Sequence, residues 1–480
     1  MRRATHKDDQ RAGEGSKTAF ALSALAWVAL WAAAAAVVGN SLLLAGPGEV
    51  LRAFAETAPA GDFWRAVGRT SVRILSTMAA SAAAGTVLGL ASARFRLLGT
   101  FLAPPLQVMK SAPVGCVVVV VLVMSGSAGA LAAIVAFVAL PPFYVAALDG
   151  CAARPLLAEQ VLRRAGAGRL RVFLSCTWPA MLPFFRAAAK TAVGLSWKAG
   201  ITAELLCVPL GSVGAAVYAS KLTLDMPSLL MWTVVVMALG WASEKALLWL
   251  LGLTGASPRW AVRLARRRVA AGGQPPASLE VDRATFGYGD APVLGDVRLT
   301  VGPGERLCLM APTGAGKTTL VSLLAGMGRP QSGNVSAPAL LGVVAQRDTL
   351  VETLTSFENV QLVCGESVPP KRLAEELSCL LPGGALHRPA CELSGGTRRL
   401  VQIARAVYGP GCALVMDEPF AGLDEQANER ACAFILAHQG GRALLVTTHH
   451  VADAERLDAS VATLDGVSTR SCAGRVTLCG

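Results

Sequence analysis

From Thr18 to Val38 the chain carries no charged residue, and uncharged runs recur at Ile74 to Ala93 and Ala130 to Leu148. A fourth apolar run, Leu229 to Gly252, is interrupted only by Glu244 and Lys245. About 20 helical residues at ~1.5 Å each cross a hydrocarbon core, so each run predicts a spanning helix. Two weaker passes are expected between them. One, 100–124, is broken by Pro104, Pro105, Lys110 and Pro113, and its freed backbone groups need partners inside the protein. The other, 182–207, holds Arg186, Lys190, Lys198 and Glu204. The prediction is an all-α transmembrane bundle of about six helices over 18–256, with spans 18–38, 74–93, 100–124, 130–148, 182–207 and 229–252. Residues 39–70 read as a short amphipathic piece outside the membrane. A cleaved signal peptide is rejected, because the first run is long for one, GNSLLLAGPGEV is a poor cleavage site and more spans follow.

Composition agrees: 53% hydrophobic with 16% charged is too apolar for a purely soluble protein. The net charge of +12 does not gather on one domain, so nucleic acid is not the expected partner. The basic residues fall between spans. The 1–17 tail, the Arg94 and Arg96 turn, the loop with Arg154, Arg163, Arg164, Arg169 and Arg171, and the stretch after the last span are rich in them; the opposite segments 39–70 and 208–228 hold only Arg52, Arg65, Arg69 and Lys221. That asymmetry puts both termini in the cytosol, in a multi-pass protein of the bacterial cytoplasmic membrane. The twelve cysteines lack C-x-x-C pairs and read as small buried apolar residues in a reduced compartment.

A Gly/Pro-rich linker, 257–277, separates the bundle from an α/β domain over 278–480, where apolar strands and helices alternate. There the strand-like RLCLM runs into APTGAGKTTL and then VSLLAGM. Strand, glycine-rich turn and helix make a P-loop: backbone N–H groups of Thr313, Gly314, Ala315 and Gly316 face anionic oxygens. Lys317 supplies a point charge for β- and γ-phosphates, the Thr318 hydroxyl is a Mg²⁺ ligand, and Thr319 continues the helix. Ala311 stands where the pattern wants glycine; alanine fits if its φ is negative.

Further signals follow in order. Tyr288 precedes the loop, where it can stack on adenine or simply pack. Gln346 lies 29 residues after Lys317. Ser394, Gly395 and Gly396 open a helix with a serine cap, a second phosphate-binding terminus. The apolar strand Ala413 to Met416 ends in Asp417 and Glu418, and LLVTT ends in His449 and His450. ATP hydrolysis needs a clamped γ-phosphate, Mg²⁺ and one positioned water, and each job has a candidate.

This ordered set resembles the ATPase cassette of ABC transporters over Ser278 to Ala459. The resemblance implies an adenine-stacking Tyr288, a Gln346 that senses Mg²⁺ and the membrane domain, and Ser394 to Gly396 gripping γ-phosphate in a partner subunit. It implies Mg²⁺ held through Thr318, Gln346 and Asp417, Glu418 as general base, Asp424 at a dimer contact and His449 as switch histidine. His450 stands where the family usually has aspartate and reads as surface variation. Thr397 and Leu400 depart from the family's glutamine and arginine.

In the membrane half, GEVLRAF, RTSVRIL, GLSWKAGITAELL and PLGSVGAAVYASKLTLDM resemble the permeases of the nitrate, sulfonate and taurine importer group, which also carries thiamine precursors. That likeness implies a binding-protein-dependent importer with a coupling helix at 157–168, where Gly166 and Pro179 keep the family spacing. A basic helix lying on the membrane face is the alternative for this segment. Lys198 lines an anion path or pairs with Glu204. The reading is ATP-driven import of a small, anionic organic solute by a homodimer of fused permease and ATPase, with ATP and Mg²⁺ as cofactors and a separate extracytoplasmic substrate-binding protein. The alternatives are an ABC exporter and an ATP-dependent signalling or scaffold protein in the lipid bilayer.

Overall fold

The computed structural model describes residues 19, 22–255, 259, 260, 262, 275–288, 291–312, 314–365, 367–464 and 476–479. The chain divides into two compact units, 1–152 with 183–252, and 153–182 with 253–480.

The first unit is helical. Its elements are α1 (Leu22–Val38), α2 (Pro47–Thr57), α3 (Gly61–Arg94), α4 (Arg96–Ser111), α5 (Val114–Ser127) and α6 (Gly129–Ala152). The chain then passes through α7 (Leu156–Arg164), in the second unit, and returns with α8 (Arg169–Cys207), which belongs to the first unit from Pro183 on, followed by α9 (Val213–Leu222) and α10 (Met226–Thr254). Among the described residues α3, α6, α8 and α10 are long and apolar enough to cross a membrane, and α4 with α5, bent by 109°, makes a fifth broken candidate. Against the six spans expected, the described residues give four or five candidates; α1, described continuously from Leu22, is a shorter apolar helix. The broken third pass stands where the prolines placed it. The structure also lengthens α3, which starts at Gly61 rather than Ile74. Arg65, Arg69 and Arg73 lower the hydropathy of that first stretch without interrupting its helix.

α3 packs against α6 along Ser81, Gly85 and Gly89, spaced four apart on one face. A Cβ on Gly85 would lie 2.5 Å from Leu140 O and one on Gly89 2.6 Å from Tyr144 O, so the backbones touch where side chains are absent. Glu204 on α8 is fully buried, yet it does not meet Lys198, which is exposed. Its carboxylate accepts from Arg73 (2.9 Å), from Thr70 Oγ1 (3.0 Å) and from the backbone N–H of Gly214 (2.9 Å). The proposed Lys198–Glu204 pair is thus corrected to Arg73–Glu204. The carboxylate sits six residues beyond the lysine on α8, about 1.7 turns and so on another face, and α3 and the start of α9 already supply its donors.

The second unit has a six-stranded sheet in the order β5-β6-β7-β3-β8-β9, formed by β3 (Arg306–Met310), β5 (Gly342–Val344), β6 (Ala413–Asp417), β7 (Ala443–Thr447), β8 (Ser460–Leu464) and β9 (Val476–Cys479). β5 to β8 pair in parallel and β9 is antiparallel. A smaller antiparallel sheet joins β1 (Leu279–Tyr288), β2 (Ala291–Val301) and β4 (Ser332–Ser336). Every residue of β6 and β7 is buried, as apolar runs covered on both faces require. The period of two divides β3: Leu307 and Leu309 join the cluster around α11 (Lys317–Leu324), and Cys308 joins the opposite cluster. That opposite layer comprises α12 (Ser356–Cys364), α13 (Pro370–Leu380), α14 (Gly395–Tyr408) and α15 (Glu425–His438), with α16 (Val451–Arg456) beside them. Five of the ten described cysteines are buried, so the reading of them as core residues holds for half.

Helix α7 belongs to this second unit. Val161 enters the cluster of Leu320 and Val343, while Ala158 and Leu162 pack with Val351, Leu354 and Leu362. Its last turn is tied down by Leu341 N–H donating to Arg164 O at 2.8 Å. The expected helix 157–168 ends sooner, at Arg164, because Gly166 turns left-handed at φ 82°. A Cβ there would come 2.9 Å from Pro410, so glycine serves both the turn and the close approach. Glu159 is buried and accepts from Thr177 Oγ1 (2.7 Å) and Arg154 Nε (3.0 Å). Thr177 lies in a π-helical turn, Phe173–Thr177, that no sequence pattern announced.

Candidate functional site

β3 ends at Met310 and α11 begins at Lys317, so the connecting loop sits at the carboxyl edge of the parallel sheet. Gly314 (φ 87°) and Gly316 (φ 96°) adopt the left-handed conformation that aims successive N–H groups into a concavity. Ala311 is not left-handed, so alanine costs nothing there, and its carbonyl accepts from Lys317 Nζ at 2.5 Å. Thr313 lies outside the described residues. Ala315 is buried under the loop.

A cavity of about 170 Å³ is lined by Gly314, Gly316, Lys317, Thr318, Thr319, Gln346 and Glu418, together with Val293 and Pro312. Residues far apart in sequence therefore meet where the spacing predicts. Burial lowers the Lys317 ammonium from its ordinary value, while the charges of Glu418 and Asp417 act the other way. His449 reaches both partners: Nε2 lies 2.6 Å from Glu418 Oε1 and Nδ1 3.2 Å from Lys317 Nζ. His450 is exposed.

Glu418 follows β6 in left-handed backbone, φ 47°, a conformation that costs a non-glycine residue of order 1 kcal/mol or more and recurs at functional sites. Its N–H donates to Thr447 Oγ1 at 2.9 Å. The same hydroxyl donates to Asp417 Oδ1 at 2.6 Å. Thr447 was not anticipated, although the apolar run before it fixes it opposite Asp417 in the β6–β7 register.

Asp417 is 1% exposed, and its Oδ2 has no hydrogen-bond partner among the described residues. A hard divalent cation with bound water needs such an oxygen acceptor, and the Thr318 hydroxyl and Gln346 line the adjoining cavity. The donor set fits Mg²⁺.

Ser394, Gly395, Gly396 and Asp424 do not line this cavity. Ser394 caps α14: its Oγ accepts from Thr397 N–H at 3.3 Å and lies 2.9 Å from Thr397 Oγ1. Asp424 caps α15, accepting from Ala427 N–H at 2.7 Å. Gly396 faces the carbonyl of Gly422, 3.2 Å from where a Cβ would stand. Leu400 is 2% exposed in the apolar core. Tyr288 ends β1 with its backbone paired to Ala291; its side chain lies outside the description.

Residues 294–421 match the family model of ABC transporter proteins. The Nod factor export ATP-binding protein I of Paraburkholderia xenovorans is 34% identical over 212 residues, 38% of this chain and 66% of that protein. The cytochrome c biogenesis ATP-binding export protein CcmA of Gluconobacter oxydans is 35% identical over 176 residues, 36% of this chain and 82% of that protein. The mycobactin import ATP-binding/permease protein IrtB of Mycolicibacterium smegmatis is 32% identical over 212 residues, 39% of this chain and 36% of that protein. This chain spans 66% and 63% of the length of the Nod factor proteins of Paraburkholderia xenovorans and Rhizobium meliloti. A solved ATP-binding subunit of an ABC transporter is 26% identical, covering 42% of this chain and 88% of its own, with a TM-score of 0.36. Its C-terminal half is an ABC ATPase domain, and through that half the chain belongs to the ABC transporter family.

Proposed function

We propose that this chain is an ATP-driven importer subunit of a bacterial cytoplasmic membrane, permease and ATPase fused, which works as a homodimer on a small anionic organic solute of the sulfonate, taurine or nitrate kind. One observation carries the coupling: α7, flanked in sequence by spans α6 and α8, packs inside the ATPase unit against Val351 and Leu362, just after Gln346 in sequence. A helix that belongs to the ATPase by packing and to the permease by chain continuity passes nucleotide-driven shifts to the spans.

In the hydrolytic step, Lys317 and the loop N–H groups orient the phosphates, and Glu418 takes the proton of the attacking water while His449 holds that carboxylate. Thr318, Gln346 and Asp417 would hold Mg²⁺, which when bound neutralises charge across the β- and γ-phosphates. Ser394 to Gly396 and Asp424, which do not line this cavity, serve the partner subunit's nucleotide, and Tyr288 stacks on adenine. An extracytoplasmic binding protein delivers the solute.

Relatives' names point both ways, mostly to export: the two Nod factor proteins and CcmA are export ATP-binding proteins, and IrtB is an import ATP-binding/permease protein. Inside-out vesicles bearing the full chain, preloaded with labelled taurine and its binding protein, test the direction. Import predicts ATP-dependent loss of label from the lumen. ATP-dependent accumulation of label supplied outside means export, and ATP turnover without movement of taurine, sulfonates or nitrate means a non-transport role.

A further inference from the structure

The segment Ala345 to Thr349 leaves β5 and carries Gln346 into the ATP cavity. Its backbone departs from the sheet, so its carbonyls need donor partners from elsewhere. Arg399 and Arg405 of α14 supply them, and Arg398 of the same helix holds the Asp348 side chain. Arg399 Nη1 donates to Ala345 O at 2.7 Å and its Nη2 to Gln346 O at 2.8 Å. Arg405, 1% exposed, donates to Thr349 O at 2.7 Å and to Thr349 Oγ1 at 2.5 Å. Arg398 Nε donates to Asp348, whose other oxygen accepts from Gln402 at 3.2 Å.

The three contacts differ in reach. Arg405 and Arg398 hold the far end, Asp348 and Thr349, next to Val351, where Ala158 and Leu162 of α7 pack. Arg399 alone among them holds the carbonyls on either side of the Gln346 nitrogen. A guanidinium is a planar fork that satisfies two carbonyls at once, and an ammonium is not. Leu400, at the position where the sequence departs from the expected arginine, is turned into the core, so its neighbour Arg399 is the group that faces Gln346.

We propose that Arg399 is a positioning residue: it fixes the Gln346 backbone so that the Gln346 side chain meets the nucleotide, and through the same segment ties the cavity to α7. This rests on the ATPase reading above. Arg399 does not line the cavity, so its removal acts on the orientation of Gln346 and not on the phosphate loop.

Two measurements on the full-length protein in nanodiscs test it, the first without nucleotide. In Arg399→Ala, deuterium uptake over 345–349 rises while β6 stays protected, since Arg405 and Arg398 keep the fold; unchanged uptake overturns the proposal. Second, with ATP, loss of two charge-assisted hydrogen bonds lowers kcat roughly tenfold and leaves KM within about twofold. Arg399→Lys does not restore it, and Gln346→Ala together with Arg399→Ala is no slower than the worse single variant. Full rescue by lysine, or losses that multiply, overturns the proposal. If Arg399→Ala shows the exchange effect but the wild type turns over no ATP, the ATPase reading alone is overturned.

Discussion

His449 stands between Glu418 and Lys317, its Nε2 2.6 Å from the Glu418 carboxylate and its Nδ1 3.2 Å from the Lys317 ammonium. The same ammonium lies 3.3 Å from Nε2, so the lysine meets the ring at both nitrogens while Nε2 faces the carboxylate. The base and the phosphate-binding cation are therefore set by one ring.

His449→Ala removes that link while Glu418 keeps its backbone anchor on Thr447. ATP turnover is expected to fall by about one to two orders of magnitude, with nucleotide affinity changed by no more than a few fold. Steady-state ATPase rates and equilibrium binding of a fluorescent ATP analogue check both halves.

Gly166→Ala introduces a Cβ at φ 82°, 2.9 Å from Pro410. Strain and clash together should cost about 1–3 kcal/mol at the end of α7. Solute movement should drop more than ATP turnover, because the ATP cavity is untouched. Paired transport and ATPase assays on one preparation read the ratio.

How far the sequence reveals this site depends on how local each constraint is. Lys317, Gln346, Glu418 and His449 were legible because each closes a strand or opens a helix, and parallel strands bring such ends to one edge. Arg399 and Thr447 were not, since their partners lie across the fold and their residue types are common at the surface. The same holds in the bundle. Pro113 announced the break, while Pro104 and Pro105 stay inside α4, but Glu204 found Arg73, 131 residues away, instead of Lys198 six residues before it. The Ser81, Gly85, Gly89 spacing was visible in sequence and marks close helix contact; hydropathy averages hide it.

Glu159 gives a pH dependence. Burial pushes its carboxyl up, but hydrogen bonds from Arg154 and Thr177 and the charges of Arg154 and Arg163 outweigh this, leaving it below the ordinary value of 4.5. A folded value below the unfolded one stabilises fully above the unfolded value and is lost as pH falls through the folded one. The melting-temperature difference between wild type and Glu159→Gln should thus be constant from pH 8 to about 5.5 and shrink as pH falls below about 4.5.

The central claim is that Glu418 activates water at a working ATP site. ATP hydrolysis by the full-length protein in nanodiscs, wild type beside Glu418→Gln, tests it most directly. The account predicts Mg²⁺-dependent turnover in wild type and a loss of at least about 10²-fold in the variant, which still binds ATP. A wild-type rate no higher than that of Glu418→Gln would contradict it.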